Sequence, residues 1–182
     1  MDVSIIYVNY RTSRLVIDSI NSVKEKTQGI LYEIIIVDNN SGDGSLAKIQ
    51  EIHPDVITIQ SEKNVGFGQA NNLGLKKADG KYIFFLNPDT LLRNNAIGEL
   101  FRFLELNMNV GACGGNLYDE EGNATTSFSR KYPSFLWELL GILYIPSLCF
   151  SSRRSLFFNH EGKPIKVCLL YTSDAADDLI GV

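Results

Sequence analysis

Two apolar runs, Glu33-Ile-Ile-Ile-Val-Asp38 and Tyr82-Ile-Phe-Phe-Leu-Asn-Pro-Asp89, constrain this chain more than any other feature. Both are short and nearly continuous in apolar character, as expected of strands buried on both faces of a parallel sheet. Both then end abruptly in a polar turn that carries a carboxylate. In an open α/β sheet, ligands bind beyond the carboxyl ends of the strands. Two acids at two such ends predict one shared cleft.

The pattern around these runs alternates between strand and helix up to about residue 118. It reads strand Val3–Val8, helix Thr12–Lys26, strand Glu33–Val37, helix Gly44–Ile52, strand Val56–Gln60, helix Gly68–Lys77, strand Tyr82–Leu86, helix Asn95–Asn107 and strand Val110–Leu117. Repeated β-α units mean an α/β, Rossmann-like, mostly parallel sheet sandwiched by helices. Thr12 or Ser13 is placed to cap the first helix, and Ser41-Gly-Asp-Gly44 leads into the second. This topology gathers Asn9, Asp38, Ser61 to Gly66 and Asn87 to Asp89 at one end of the sheet. Beyond it, Asp119-Glu-Glu-Gly122 suits a hairpin turn.

With 45% hydrophobic and 21% charged residues, the 182-residue chain has the composition of one substantial core. A net charge of −4 without a Lys/Arg stripe argues against nucleic acid as a partner. Cys113, Cys149 and Cys168 are far apart and lack CxxC spacing, which indicates neither a disulfide framework nor a zinc site and fits a reducing cytoplasm. No signal segment is expected at Met1, and no run reaches the roughly 18 to 20 apolar residues of a membrane span. The apolar segment Phe135–Pro146, flanked by Arg130, Lys131, Arg153 and Arg154, has two readings. It packs over a sheet edge, or it lies as an interfacial helix in peripheral contact with the inner face of the cell membrane, Trp137 and Tyr144 at headgroup level. His53, before Pro54 at a helix end, reads as a cationic cap on the helix dipole, and His160 has no partner residue nearby.

Gly66-Phe-Gly68 contains G-x-G, but the dinucleotide fingerprint belongs in the first β-α turn and needs a third small residue. Here that turn is Asn9-Tyr-Arg-Thr-Ser13, without glycine, and no Walker A loop is present. A nucleotide would have to be held from several strand ends at once. Asp38 is suited to accept a hydrogen bond from a base imino group or a ribose hydroxyl; equally, Asp38-Asn-Asn-Ser-Gly-Asp is a loop rich in capping residues.

Four segments then carry a family resemblance: Val3–Tyr10, Glu33–Ser45, Asn64-Val-Gly-Phe-Gly-Gln-Ala-Asn-Asn-Leu-Gly74 and Phe85-Leu-Asn-Pro-Asp-Thr90. In order and spacing they resemble glycosyltransferase family 2, of GT-A fold, and within it the rhamnosyltransferase-like branch. The resemblance implies that Asn9, Tyr10 and Arg11 line a nucleotide pocket, and that Asp38 and Asn39 meet a pyrimidine base. The loop from Asn64 through Gly66, Phe67, Ala70 and Asn71 would close over the nucleoside. Asn87-Pro88-Asp89 would replace the family's D-x-D, with Asp89 ligating Mg²⁺ or Mn²⁺. The implied donor is a nucleoside-diphosphate sugar of deoxythymidine or uridine type, with rhamnose one candidate sugar. The implied acceptor is a saccharide or lipid-linked saccharide in cell-surface polysaccharide synthesis.

Transfer with inversion needs a carboxylate base to activate the acceptor hydroxyl. The acidic pair expected for that role is not found, and Asp177-Asp178 lacks the surroundings for it. The reading therefore divides the chain into a donor-binding half at 1–118, the start of an acceptor-side region at 119–167, and a tail at 168–182 foreign to the family, as in a truncated frame. The alternative function is a nucleotide-sugar-binding module without turnover. A sugar-nucleotide pyrophosphorylase is disfavoured, because it would want a glycine-rich, basic first loop.

Overall fold

Strands β1 (Val3–Asn9) and β2 (Tyr32–Asp38) lie side by side at the centre of a four-stranded sheet, flanked by β3 (Ile57–Gln60) and β4 (Tyr82–Phe85) in the order β3-β2-β1-β4. All three pairings are parallel, as expected, but only the Glu33 run is buried as a central strand: no residue of β4 is buried, and Phe85 is 43% exposed. Every residue of β1 is buried, and so are the last five of β2. The computed structural model describes residues 1–119 and 121–125.

Alternation along the strands supplies two packed faces. Val3, Ile5 and Tyr7 of β1 join Ile34 and Ile36 of β2 in a core with Val16, Ile20 and Val23 of α1 (Ser13–Lys26), Ile49 of α2 (Ser45–Ile52) and Ile97 of a later helix, Ala96–Leu106. On the opposite face, Val8 and Val37 pack with Ala70 of α3 (Phe67–Leu75). Helix Ala96–Leu106, α4, thus joins α1 and α2 on one side, and α3 covers the other. Gly74 lets α3 come this close: a Cβ there would lie 2.7 Å from Ile6 Cγ2 and 3.3 Å from Val37 Cγ2. At the sheet end remote from the strands' carboxyl termini, Glu33 Oε1 accepts hydrogen bonds from Ser4 Oγ (2.5 Å) and the Asp79 amide (2.8 Å). Ser4 Oγ in turn accepts from the Gly80 amide, which satisfies a buried hydroxyl and fixes the approach to β4.

Three local expectations change. The strand expected over 110–117 does not form: residues 112–116 are without regular structure, and only Leu117 enters a strand, the two-residue Leu117–Tyr118. Gly111, Ala112, Gly114 and Gly115 have almost no side chain to pack, so pairing them would bury little. Thr12 is the N-cap residue of α1 but makes no side-chain cap; its hydroxyl turns back to Asn9 Oδ1 (3.0 Å). His53 ends α2, yet it is buried, and its Nδ1 lies 3.3 Å from Lys24 Nζ. Burial, then the Lys24 ammonium, lower its pKa against the pull of Asp55, so it is a neutral residue rather than a cationic cap.

Residues 1–114 form one compact unit, and a second unit begins at Gly115. In the second, β5 (Leu117–Tyr118) and β6 (Ala124–Thr125) pair antiparallel around the expected turn, closed by the Asp119 amide to the Asn123 carbonyl (3.0 Å). The apolar segment 135–146, its basic flanks, His160, Asp177-Asp178 and the tail 168–182 lie outside the described residues. No helix among those described is long and apolar enough to cross a membrane.

Candidate functional site

The last residues of three adjacent strands stand in one row: in the parallel register Asn9 pairs with Asp38, and Asp38 with Gln60. Asp38, 2% exposed, is the hub of this row. Its Oδ1 accepts from Asn9 Nδ2 (2.6 Å) and Ser41 Oγ (2.5 Å); its Oδ2 accepts from the Ser41 amide (2.9 Å) and Gln60 Nε2 (3.0 Å). Burial alone would raise the Asp38 pKa, but donation from the Ser41 hydroxyl and amide, Asn9 and Gln60 outweighs it and holds the carboxyl below its ordinary value. The hub is an anion held by four donors, the full capacity of a carboxylate.

This hub fixes the loops above it. Asn9 Oδ1 accepts from the Thr12 amide (3.2 Å), and Ser41 Oγ accepts from the Arg11 amide (2.9 Å). Arg11 (φ 58°) and Asn40 (φ 63°) are the only non-glycine residues with positive φ among those described, one in each of the two loops that meet at Ser41. Such strain persists only where surrounding bonds over-determine it. The Arg11 guanidinium carbon sits 5.3 Å from the Tyr10 ring centroid, a cation–π pair on an exposed surface.

Asn39 reaches the other way. Its Nδ2 donates to Asn64 Oδ1 (2.9 Å) and its Oδ1 accepts from the Val65 amide (2.8 Å), while the Gly66 amide also donates to Asn64 Oδ1 (3.0 Å). The loop after β3 is therefore clamped to the end of β2. Gly66 then caps α3 at φ 81° and ψ 168°, a conformation essentially restricted to glycine, and leaves Phe67 46% exposed at the helix start.

On the far side of β1, the Leu86 amide bonds the Ile6 carbonyl (3.0 Å), and a turn follows with the Thr90 amide on the Asn87 carbonyl (3.1 Å). Pro88 and Asp89 are its two central residues, and Pro suits the first of them. Helix α1 fastens this turn. Tyr7 donates its phenol to Ser19 Oγ (2.9 Å), and Ser19 Oγ donates to the Thr90 carbonyl (2.6 Å). Burial pushes the Tyr7 phenol far above its ordinary pKa, so it remains a donor. Two residues on, the Leu92 amide donates to Ser22 Oγ (3.0 Å). Asn87 and Asp89 face solvent above this anchorage.

The expected site residues thus fall into three groups. Asn9, Asp38 and Asn39 form one buried network that also ties in Asn64 and Gly66. Tyr10, Arg11, Phe67, Asn87 and Asp89 are exposed on the same end of the sheet. Ala70 and Asn71 are buried: Ala70 is fully buried against Val8 and Val37, and Asn71, 6% exposed, donates to the Phe67 carbonyl (3.1 Å). Their place is in helix packing, because the sheet-facing stripe of α3 passes through them. Gln60, Ser19 and Ser22 were not singled out in the sequence, and Ser41 only as the start of a helix-entry loop. For Gln60 the signal was its register with Asp38.

Among the described residues no cluster of three or more His, Cys, Asp or Glu is poised to hold a cation. The exposed Asp89 is a lone carboxylate, a donor of the kind that suits Mg²⁺ or Mn²⁺ where phosphate oxygens and water complete the coordination.

A sequence profile for glycosyl transferase family 2 matches residues 4–178. The chain belongs to glycosyl transferase family 2. The match runs past Cys168, beyond the four motifs that first suggested it. An uncharacterized glycosyltransferase of Nostoc sp. is 32% identical over 167 residues, covering 88% of this chain and 52% of that protein. A putative teichuronic acid biosynthesis glycosyltransferase of Bacillus subtilis, TuaG, is 27% identical over 140 residues, covering 75% and 55%. The chain thus spans about half the length of these curated relatives. Among solved structures, S. aureus TarS in complex with UDP superposes with a TM-score of 0.55 at 20% identity, covering 66% of this chain and 40% of that one. The mannosyltransferase PcManGT from Pyrobaculum calidifontis, in complex with GDP-Man and Mn²⁺, gives 0.51 at 22% identity, covering 56% and 32%. These likenesses show the GT-A fold.

Proposed function

We propose that this chain supplies the donor-binding half of an inverting glycosyltransferase that moves a sugar from a nucleoside diphosphate to a saccharide or lipid-linked saccharide in cell-surface polysaccharide synthesis. The observation that carries the reading is the placement of two acids on either side of β1. Asp38 is a buried, polarised acceptor at the end of β2, and Asp89 is an exposed carboxylate in the turn after β4. Two strand spacings separate those strands, roughly 10 Å. That suits one elongated ligand with a base at one end and a diphosphate at the other.

Asp38 meets the imino N–H of the base, a group shared by uracil, thymine and guanine, and so common to the UDP and GDP-Man complexes of the neighbours. Tyr10 and Phe67 offer exposed rings to the nucleoside, with Arg11 and Asn64 at its edge. Asn9, Asn39, Ala70 and Asn71 shape the pocket from beneath. Asp89, with Asn87 beside it, holds Mg²⁺ or Mn²⁺ against the diphosphate. When bound, the cation serves as a Lewis acid that stabilises charge developing on the leaving group. The sugar is a deoxythymidine-linked rhamnose or a uridine-linked hexose. The teichuronic acid assignment of TuaG supports a cell-wall acceptor.

Calorimetry with uridine and deoxythymidine diphosphates, with and without Mn²⁺, tests this. Binding should strengthen with Mn²⁺ and lose that gain in Asp89→Ala. Binding that ignores both the metal and Asp89 would contradict the proposal.

A further inference from the structure

Of the four donors on Asp38, three come from buried residues: Asn9, 0% exposed, and the hydroxyl and amide of Ser41, 3% exposed. The fourth is different. Gln60 is an exposed residue at the end of β3. Its Nε2 lies 3.0 Å from Asp38 Oδ2, 3.0 Å from the Ser61 carbonyl and 3.5 Å from the Asp38 carbonyl. Three oxygen acceptors around one atom require it to be the nitrogen, so the amide orientation follows from chemistry. A primary carboxamide presents an N–H beside a C=O, which is half of the imide edge of a pyrimidine. The group filling the last acceptor position of Asp38 therefore has the same chemistry as the base edge expected there.

We propose that Gln60 is a placeholder: in the free protein its amide occupies the acceptor position on Asp38 that the imino N–H of a donor nucleotide takes, and it leaves when the base arrives. This rests on the reading of Asp38 as the base acceptor and adds a specificity-determining residue to it. The consequence is an exchange of one charge-assisted hydrogen bond for another. The carboxylate is never left short of donors, and base recognition is weaker than an empty Asp38 would give. A side chain that only walled the pocket would have the opposite effect when removed, since its loss would cost contacts.

The test uses the full chain, its Gln60→Ala variant, uridine diphosphate and the N3-methylated analogue, which lacks the imino donor. Because Gln60 is exposed and water can take its place, the variant should still unfold cooperatively, with its urea midpoint lowered by no more than the worth of one hydrogen bond, checked by circular dichroism. Removing the competing bond should tighten binding of uridine diphosphate by about 2- to 10-fold, the worth of one hydrogen bond, and leave the N3-methylated analogue unchanged. In the unsubstituted chain, the Gln60 side-chain amide signals in ¹⁵N spectra should move toward those of a solvent-exposed glutamine on saturation with uridine diphosphate. Weaker or unchanged binding by Gln60→Ala, or Gln60 amide signals that stay in place, would overturn the placeholder role. If the unsubstituted chain fails to distinguish the two nucleotides, the reading of Asp38 as base acceptor falls, and the placeholder falls with it. That outcome differs from a chain that discriminates by methylation but ignores Gln60.

Discussion

Replacing Ser19 by alanine removes the middle of a three-member chain, Tyr7 O–H to Ser19 Oγ–H to the Thr90 carbonyl. Tyr7 and Ser19 are both fully buried, so water does not substitute for the missing hydroxyl. The variant loses one hydrogen bond to Thr90, about 1 kcal/mol, and leaves the Tyr7 phenol without an acceptor at about 1–3 kcal/mol, for a total of about 2–4 kcal/mol. Tyr7→Phe alone should cost only about 1 kcal/mol, because Ser19 still donates to Thr90. The two effects should not add. In the Ser19→Ala background, Tyr7→Phe deletes an orphaned donor and should restore about 1–3 kcal/mol, reversing its sign. Urea denaturation of the four proteins, followed by far-ultraviolet circular dichroism, gives the cycle. Additivity within about 0.5 kcal/mol would refute the reasoning, since independent sites behave that way.

Gly74→Ala should destabilise the fold by about 1–3 kcal/mol, because the new Cβ would stand 2.7 Å from Ile6 Cγ2 at the tightest approach of α3 to the sheet; the same urea assay measures it. Stability should fall with pH in two ranges. His53 has a folded pKa below its ordinary 6.5, so its contribution is complete above 6.5 and is lost as pH falls through the lower folded value. Asp38 behaves likewise below its ordinary 3.8. Urea midpoints from pH 8 to 4 should show the first decline in the unsubstituted protein and lack it in His53→Gln.

The sheet was legible because its strands are apolar runs with polar ends, and the strand ends came out within a residue or two. The candidate site was legible where its residues sit at or just past those ends: Asn9 and Asp38 close their strands, and Asp89 lies in the turn after β4. What sequence alone withheld was cross-strand register and burial. Gln60 reads as the polar end of an ordinary strand until pairing sets it beside Asp38. Ser19 was already on the buried stripe of α1, with Val16, Ile20 and Val23, but its partners Tyr7 and Thr90 lie far along the chain. His53 was misread because its burial beside Lys24 belongs to the packing of α1 against α2. Residues 110–116 were misread as part of a strand because Val110 resembles a strand start, although the glycines before Leu117, where β5 begins, have nothing to bury.

The paramagnetism of Mn²⁺ gives the most direct test of the central claim, that this end of the sheet holds a nucleotide with its diphosphate at Asp89. In ¹⁵N spectra of the chain with uridine diphosphate, Mn²⁺ should broaden the amides of Asp89, Thr90 and Leu91 most strongly. That broadening should weaken sharply without nucleotide and vanish in Asp89→Ala. Broadening centred elsewhere, or unchanged when the nucleotide or the Asp89 carboxylate is removed, would contradict the account.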